Sequence, residues 1–397
     1  MTAADPAAAE DSTEPTPAAG AAADPAGSVA GHGATGDRTE PAGGHDAVRN
    51  PAMTATAPTG GRRCPNCASR VGPRDRFCEE CGRELGVTRA ALPDSEVPAE
   101  PCAGCGQQRF DAHGYCVECG ELRRAPDRRA AELDGVVLIT DRGLSHARNE
   151  DAVAAAVLRE PGSTSIAVAV CDGVSTTRDP QVASGAAARA GANACLSALA
   201  DGLTTEAAAM AGLESAWLTV RGDTSADADS ASCTYVSAAL RGLGNGEVEI
   251  AIANVGDSRA YWLSEAGSRQ LGSDDSFAQT LIEGGVDPQT AMRHPQAHAL
   301  LRWLGSDSVR RPWSDDCVHT MRTSGPGTLL LCSDGLWNYL PDPADLAARI
   351  AASAPSLTSP AATRAAARDL VDFALESGGH DNITVALIPV PLFDRQG

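Results

Sequence analysis

"EVEIAIANVGDSRAYWL", residues 247–263, holds two apolar runs separated only by Gly-Asp-Ser. Both runs are rich in β-branched and aromatic residues and read as strands. A turn this short leaves no room for the crossover helix of a parallel pair, so it predicts antiparallel pairing. The same reading extends outward to "GVVLIT" (135–140), "SIAVAVC" (165–171), "CTYVSAAL" (233–240), "TLLLCS" (328–333) and "ITVALIPV" (383–390). Between them, 181–200, 205–220, 342–354 and 362–377 read as helices, and Asp342-Pro343 supplies an N-cap with proline in the first turn. The expectation is antiparallel sheets with helices, more than a doubly wound parallel sheet.

Composition narrows the chemistry. At 397 residues and 43% hydrophobic, the chain has room for two or three domains and a sizeable core. All 32 basic residues are arginine. Without lysine, P-loop nucleotidases, protein kinases and Schiff-base enzymes are excluded, because each needs that amine. The lysine-free, alanine- and arginine-rich composition is that of a GC-rich bacterial genome. A net charge of −20 argues against broad nucleic-acid affinity. No run approaches the length of a membrane span and the first residues lack a secretory signal, so the expected compartment is cytoplasmic. In a reducing compartment, 13 cysteines point to metal binding more than to disulfides.

Four segments follow. Residues 1–60, built from Ala, Pro, Gly, Thr, Asp and Glu, are expected to form a disordered tail. Residues 61–121 contain a repeat: "CPNCASRVGPRDRFCEECG" (64–82) is followed by "CAGCGQQRFDAHGYCVECG" (102–120). Each copy pairs two Cys-x-x-Cys knuckles, with Phe77 or Tyr115 directly before the third cysteine. Paired knuckles make the tetrahedral thiolate cage that zinc favours. Cys64, Cys67, Cys78 and Cys81 are thus one candidate structural zinc site, and Cys102, Cys105, Cys116 and Cys119 a second. The pair resembles double zinc-ribbon modules. Arg62, Arg63, Arg70, Arg74 and Arg76 give the first copy basic character, but interspersed acids favour protein docking over nucleic acid. Residues 122–133 read as a charged linker, and 134–393 as one large domain. Cys171, Cys195, Cys233, Cys317 and Cys332 lie in apolar runs and are expected in its core.

Acidic residues gather at strand ends in that domain. Asp172 ends "SIAVAV", Asp334 ends "TLLL", and Asp381 precedes the last strand. Glu150 and Asp151 sit in "GLSHARNEDAVAA" (143–155), ahead of an apolar run. Each Asp-Gly alone is an ordinary turn. Together, carboxylates at the edge of a core call for neutralisation, which hard divalent cations such as magnesium or manganese supply. Two such ions about 3.5–4 Å apart can activate a bridging water for displacement at phosphorus.

At this point the sequence resembles a known family. "TDRGLSHARNEDA", "CDGVS", "ANVGDSRAYWL", "DDSFAQTLIEGG", "HPQAHALLRWLG", "LLLCSDGLWN" and "GGHDNITV" stand in the order of the metal-dependent type 2C serine/threonine protein phosphatases. The resemblance covers about residues 136–390. It implies an α+β fold, a four-layer α/β/β/α sandwich of two antiparallel sheets flanked by helices. It also implies hydrolysis of phosphoserine and phosphothreonine in proteins phosphorylated by a serine/threonine kinase system. Carried onto this chain, Asp172 bridges two metals, with the Gly173 carbonyl and Glu150 on one ion and Asp334 and Asp381 on the other. Asp151 orients a metal-bound water and Asn382 supports the site. A third, weaker metal site falls to Asp229 and Asp274, although Asp274 or Asp275 could equally cap the helix that follows. Two departures stand out. The family's phosphate-binding arginine is replaced by His146, with Arg148 or Arg142 as possible substitutes. The loop "VSTTRDPQVAS" lacks the usual Gly-Gly or His. A phosphatase-like scaffold without activity is the competing reading. His294 and His380 are expected in turns or on the surface.

Overall fold

The computed structural model describes residues 63–390 except 65, 73–74, 94–100, 103, 112–114, 122–126, 161, 223–230, 245, 309–310 and 315. The expected tail, Arg62, Arg74 and Asp229 lie outside the described residues.

The strands are β1 (Val87–Leu92), β2 (Arg128–Leu133), β3 (Val136–Asp141), β4 (Ala152–Glu160), β5 (Ser163–Cys171), β6 (Ser232–Cys233) and β7 (Tyr235–Gly242). They continue as β8 (Val248–Val255), β9 (Arg259–Leu263), β10 (Arg269–Leu271), β11 (Leu304–Gly305), β12 (Val318–Thr323), β13 (Thr328–Cys332) and β14 (Ile383–Pro389). The helices are α1 (Pro180–Ala200), α2 (Thr205–Arg221), α3 (Phe277–Glu283), α4 (Pro288–Met292), α5 (Asp334–Trp337), α6 (Pro343–Ser353) and α7 (Pro360–Glu376). Two antiparallel sheets result, in the orders β1-β4-β5-β7-β8-β12 and β10-β9-β13-β14-β3-β2. The first carries α1 and α2 on its outer face, and the second carries α5, α6 and α7. This is the expected four-layer α/β/β/α sandwich.

Side-chain size sorts the layers. Along β4, Ala152, Ala154 and Ala156 face the helices while Val153 and Val157 face the other sheet. In β5, Ala167, Ala169 and Cys171 take the helix side and Ile166, Val168 and Val170 the inner side. Period-two alternation therefore separates small from branched residues instead of polar from apolar, because both faces are buried. The small face lets α1 settle closely, at Gly191 above all, where an added Cβ would overlap the Tyr235 ring.

The opening stretch behaves differently from its local reading. β8 and β9 are not a hairpin: β8 pairs with β7 and β12, whereas β9 pairs with β10 and β13 in the other sheet. Antiparallel pairing holds, but the Gly256–Ser258 turn carries the chain across the sandwich. Gly256 makes the crossing at φ +99, with a would-be Cβ 2.8 Å from the Thr234 side chain.

Residues 128–133, read as the end of a linker, form β2. It pairs with β3 around an Asp134-Gly135 turn whose φ values, 48 and 93, are those of a tight hairpin. β1 lies between the two cysteine repeats and pairs with β4 along its length, from Val87 opposite Leu158 to Leu92 opposite Val153. The cysteine-rich segment and the sandwich belong to one compact unit. The helix start at Asp342-Pro343 is as read, with Asp342 accepting from the Ala344 and Asp345 N–H groups. Among the described residues, no helix is long and apolar enough to cross a membrane.

Candidate active site

Every acid named at a strand end is held at the same end of the sandwich. Glu150 and Asp151 enter β4, Asp172 leaves β5, Asp334 leaves β13 and Asp381 enters β14. Asn382 ties the loop 142–151, between β3 and β4, to this end. Its side-chain NH2 donates to the carbonyls of Arg142 (2.7 Å) and Arg148 (3.1 Å), and its Oδ1 accepts from Glu150 N (2.6 Å). Asn382 is 2% exposed, so these three bonds have no competition from water. Gly173 packs where no side chain fits, its would-be Cβ 2.7 Å from the Glu150 carbonyl oxygen. Ser184 of α1 donates to that same carbonyl at 2.5 Å.

The carboxylates repel one another. Burial pushes Asp151 up to about 7, with Asp381 and Asp334 adding to the rise. Burial and Asp381 push Asp334 up to about 6, while hydrogen bonds with Asp172 and Asn338 work the other way. Asp172 is raised well above the carboxylate range by burial, then by Asp151, Asp334 and Asp381. Oδ1 of Asp151 and Oδ1 of Asp334 are buried without a hydrogen-bond partner. Ser333 donates to the other oxygen of Asp151 at 2.7 Å, fixing the carboxylate with its orphan atom free. Crowded anionic oxygens with unused lone pairs match a hard divalent cation, which would relieve both the repulsion and the missing contacts.

His146 joins this cluster: its Nε2 lies 3.2 Å from Asp381 Oδ1. Arg148 turns away, with Nη1 3.8 Å from Asp179 Oδ1. Arg142 is engaged by Asp127 and by the His146 carbonyl. None of the candidate phosphate-binding arginines is unpaired. In the loop after Gly173, Ser175 donates to Glu150 Oε2 at 2.7 Å.

The third-site expectation needs correcting at Asp274. Both its oxygens are taken by Arg259, at 2.7–3.0 Å, which itself stacks 3.6 Å above the Trp337 ring. A carboxylate so neutralised has little to offer a cation. Beside Asp334 the structure places Asp257 and His298 instead, the ligand atoms of all three within 4.8 Å of one another. Asp257 is 5% exposed and raised well above its usual range by burial and by Asp334. Its position follows from the turn that crosses between the sheets. Sequence reading quoted both residues inside motifs but assigned neither, because a Gly-Asp-Ser turn looks like a surface hairpin. His294 packs on Phe277 at 4.9 Å, away from this group, and His380 is exposed.

Each cysteine repeat closes into a cage. Sulfur pairs Cys64–Cys81 and Cys67–Cys78 stand 3.6 and 3.5 Å apart, and Cys102–Cys119 and Cys105–Cys116 both 3.5 Å. A tetrahedron with Zn–S near 2.3 Å calls for sulfurs about 3.8 Å apart, so the fit is close. Gly82, Gly106 and Gly120 occupy the left-handed position after a knuckle, and Ala68 takes it in the fourth. Cys171, Cys195, Cys233, Cys317 and Cys332 are buried, as expected.

Comparison with known proteins bears on the family and the fold. The protein phosphatase 2C family profile matches residues 142–373. Serine/threonine phosphatase stp of Listeria innocua is 37% identical over 148 residues, covering 37% of this chain and 54% of that protein. Serine/threonine protein phosphatase PstP of Mycobacterium tuberculosis is 35% identical over 147 residues, covering 36% of this chain and 26% of PstP. The matched stretch thus spans about half or less of these relatives. The structure of serine/threonine phosphatase Stp1 from Staphylococcus aureus shares the fold, with TM-score 0.51 and 24% identity over 68% of this chain and 98% of Stp1.

Proposed function

The chain belongs to the protein phosphatase 2C family, and we propose on that premise that it hydrolyses phosphoserine and phosphothreonine in proteins phosphorylated by a serine/threonine kinase. The observation that carries the reading is the cluster of Asp151, Asp172, Asp334 and Asp381, with two buried carboxylate oxygens left unpartnered.

Asp172, Glu150 and the Gly173 carbonyl are the candidate ligands of one manganese or magnesium ion, and Asp334, Asp381 and Asp172 of another. Ions held there would supply a water of lowered pKa and positive charge to stabilise displacement at phosphorus. The chain's own part is positioning. Ser333 holds Asp151 so that its free oxygen can accept a proton from water. Asn382 fixes the loop that carries Glu150, and Ser175 orients the Glu150 carboxylate. Asp257 and His298 with Asp334 are the candidate third site. His146, 3.2 Å from Asp381, is the candidate group for contact with the substrate phosphate. The two cysteine repeats, read as zinc ribbons, flank β1 in the chain and are the candidate targeting or regulatory element.

Hydrolysis of p-nitrophenyl phosphate and of a phosphothreonine peptide tests the reading. Activity is expected with manganese, and Asp334→Ala lowers it by at least about a hundredfold. Absence of manganese-dependent turnover in the intact chain sinks the enzyme and leaves the phosphopeptide-binding scaffold, which the engaged arginines around His146 favour.

A further inference from the structure

A second charged site lies away from the acids. Where β1 and β2 end the two sheets beneath α1, a pocket of about 460 Å³ opens, lined by Arg89, Arg129, Arg189 and Asn193 and floored by alanines of β1, β2, β4 and α1. The alanines make the space, since each presents only a Cβ. Its size is that of a small-ligand site. Among the described residues, no acid lines it.

The three arginines are placed differently. Arg89 is fixed from both sides: Nη2 meets Glu84 at 2.6 Å and Nε donates to Asn193 Oδ1 at 2.9 Å. Arg129 and Arg189 have no ion pair among the described residues. Three guanidinium groups around one cavity repel each other unless an anion joins them. This concentration of positive charge occurs in a chain of net charge −20, so it is not a general property of the surface. Guanidinium forks match the several acceptor oxygens of a phosphate better than a single carboxylate, which uses up one fork. β4 contributes Ala154 and Ala155 to the pocket. Ala154, the nearer of the two, lies three residues from Asp151, about 10 Å along an extended strand, so a phosphate here sits apart from the acid cluster.

We propose that this pocket binds the phosphate group of a phosphate ester, as a site separate from the metal centre. The ester could belong to a phosphorylated protein segment or to a small organic phosphate, since the recognising chemistry is the same. The first ribbon takes part, because Glu84, which orients Arg89, follows its last cysteine by three residues.

The test is calorimetric titration of the full chain carrying Asp334→Asn, without added divalent metal. The probes are a phosphothreonine peptide, its unphosphorylated counterpart, and ADP. Binding of the phosphopeptide or of ADP is expected, and which of the two binds identifies the source. Arg129→Ala with Arg189→Ala weakens it at least about tenfold, and the paired lysine variant loses less. Binding of neither phosphate ligand, or equal binding by the double alanine variant, overturns the proposal. With Asp334 restored, the double variant is expected to keep p-nitrophenyl phosphate turnover within twofold. A parallel loss of that turnover would place the arginines at the metal centre and overturn the separate site, whereas failure of the intact chain to hydrolyse anything bears only on the phosphatase reading.

Discussion

Asn382 shows how much one buried side chain can organise. Its three bonds hold both ends of the loop between β3 and β4, and two of its partners are the carbonyls of Arg142 and Arg148. Asn382→Ala is expected to cost about 2–4 kcal/mol in urea unfolding and to lower turnover as Glu150 loosens. Charge sets the second prediction. Asp151 is raised to about 7 in the folded chain, so the folded state keeps a proton that the unfolded state has already lost. Without divalent metal, stability from this group therefore falls as pH rises from about 4 to about 7. Asp151→Asn takes away its share of that slope, and thermal melts at pH 5 and pH 7.5 should differ less than in the parent chain, with Asp334 and Asp172 supplying the remainder. Backbone strain gives a third. Ala68 stands at φ 60, where the other knuckles use glycine, so Ala68→Gly should raise the ribbon's stability by up to about 1 kcal/mol. Zinc retention against a graded chelator measures it.

Among the elements, helices and buried strands were legible because their patterns are local. β5, β8, β13 and β14 announce themselves as apolar runs, and α1, α2, α6 and α7 as alanine-rich stretches bounded by turns. The acid positions were legible for the same reason, each standing at the end of such a run. β1 and β2 were not. "VTRAAL" and "RRAAEL" are short and charged, and their strand character comes from neighbours far along the chain, β4 and β3. The one local signal was the Asp134-Gly135 turn, which sits at the boundary drawn between linker and domain. Pairing partners were equally hidden. Whether β9 returns beside β8 or crosses to the other sheet depends on packing that a three-residue turn does not encode, and Asp257 was missed with it. Asp274 failed differently: its neutralising partner, Arg259, lies 15 residues away in sequence, and the sequence contains no sign that the two meet.

For the molecule as a whole, the cysteine repeats are not an appendage that can be cut away cleanly. β1 follows the first cysteine repeat and pairs with β4; β2 follows the second and pairs with β3. A chain begun at residue 134 lacks both and bares β3 and β4, whose residues from 136 to 157 are buried in every strand position. Bare apolar edges pair with other chains. The truncated domain is expected to self-associate, seen as a shifted elution volume and light scattering at micromolar concentration, while the full chain is monodisperse under the same conditions.

The candidate metal ligands have one further consequence. Asp172 is rooted in one sheet, and Asp334 and Asp381 in the other, so ions held among them would act as rivets through both plates of the sandwich. Sliding or parting the plates has to shear those rivets first. Manganese should therefore slow amide hydrogen exchange deep in the valine and isoleucine layer between the sheets, well beyond the residues it touches.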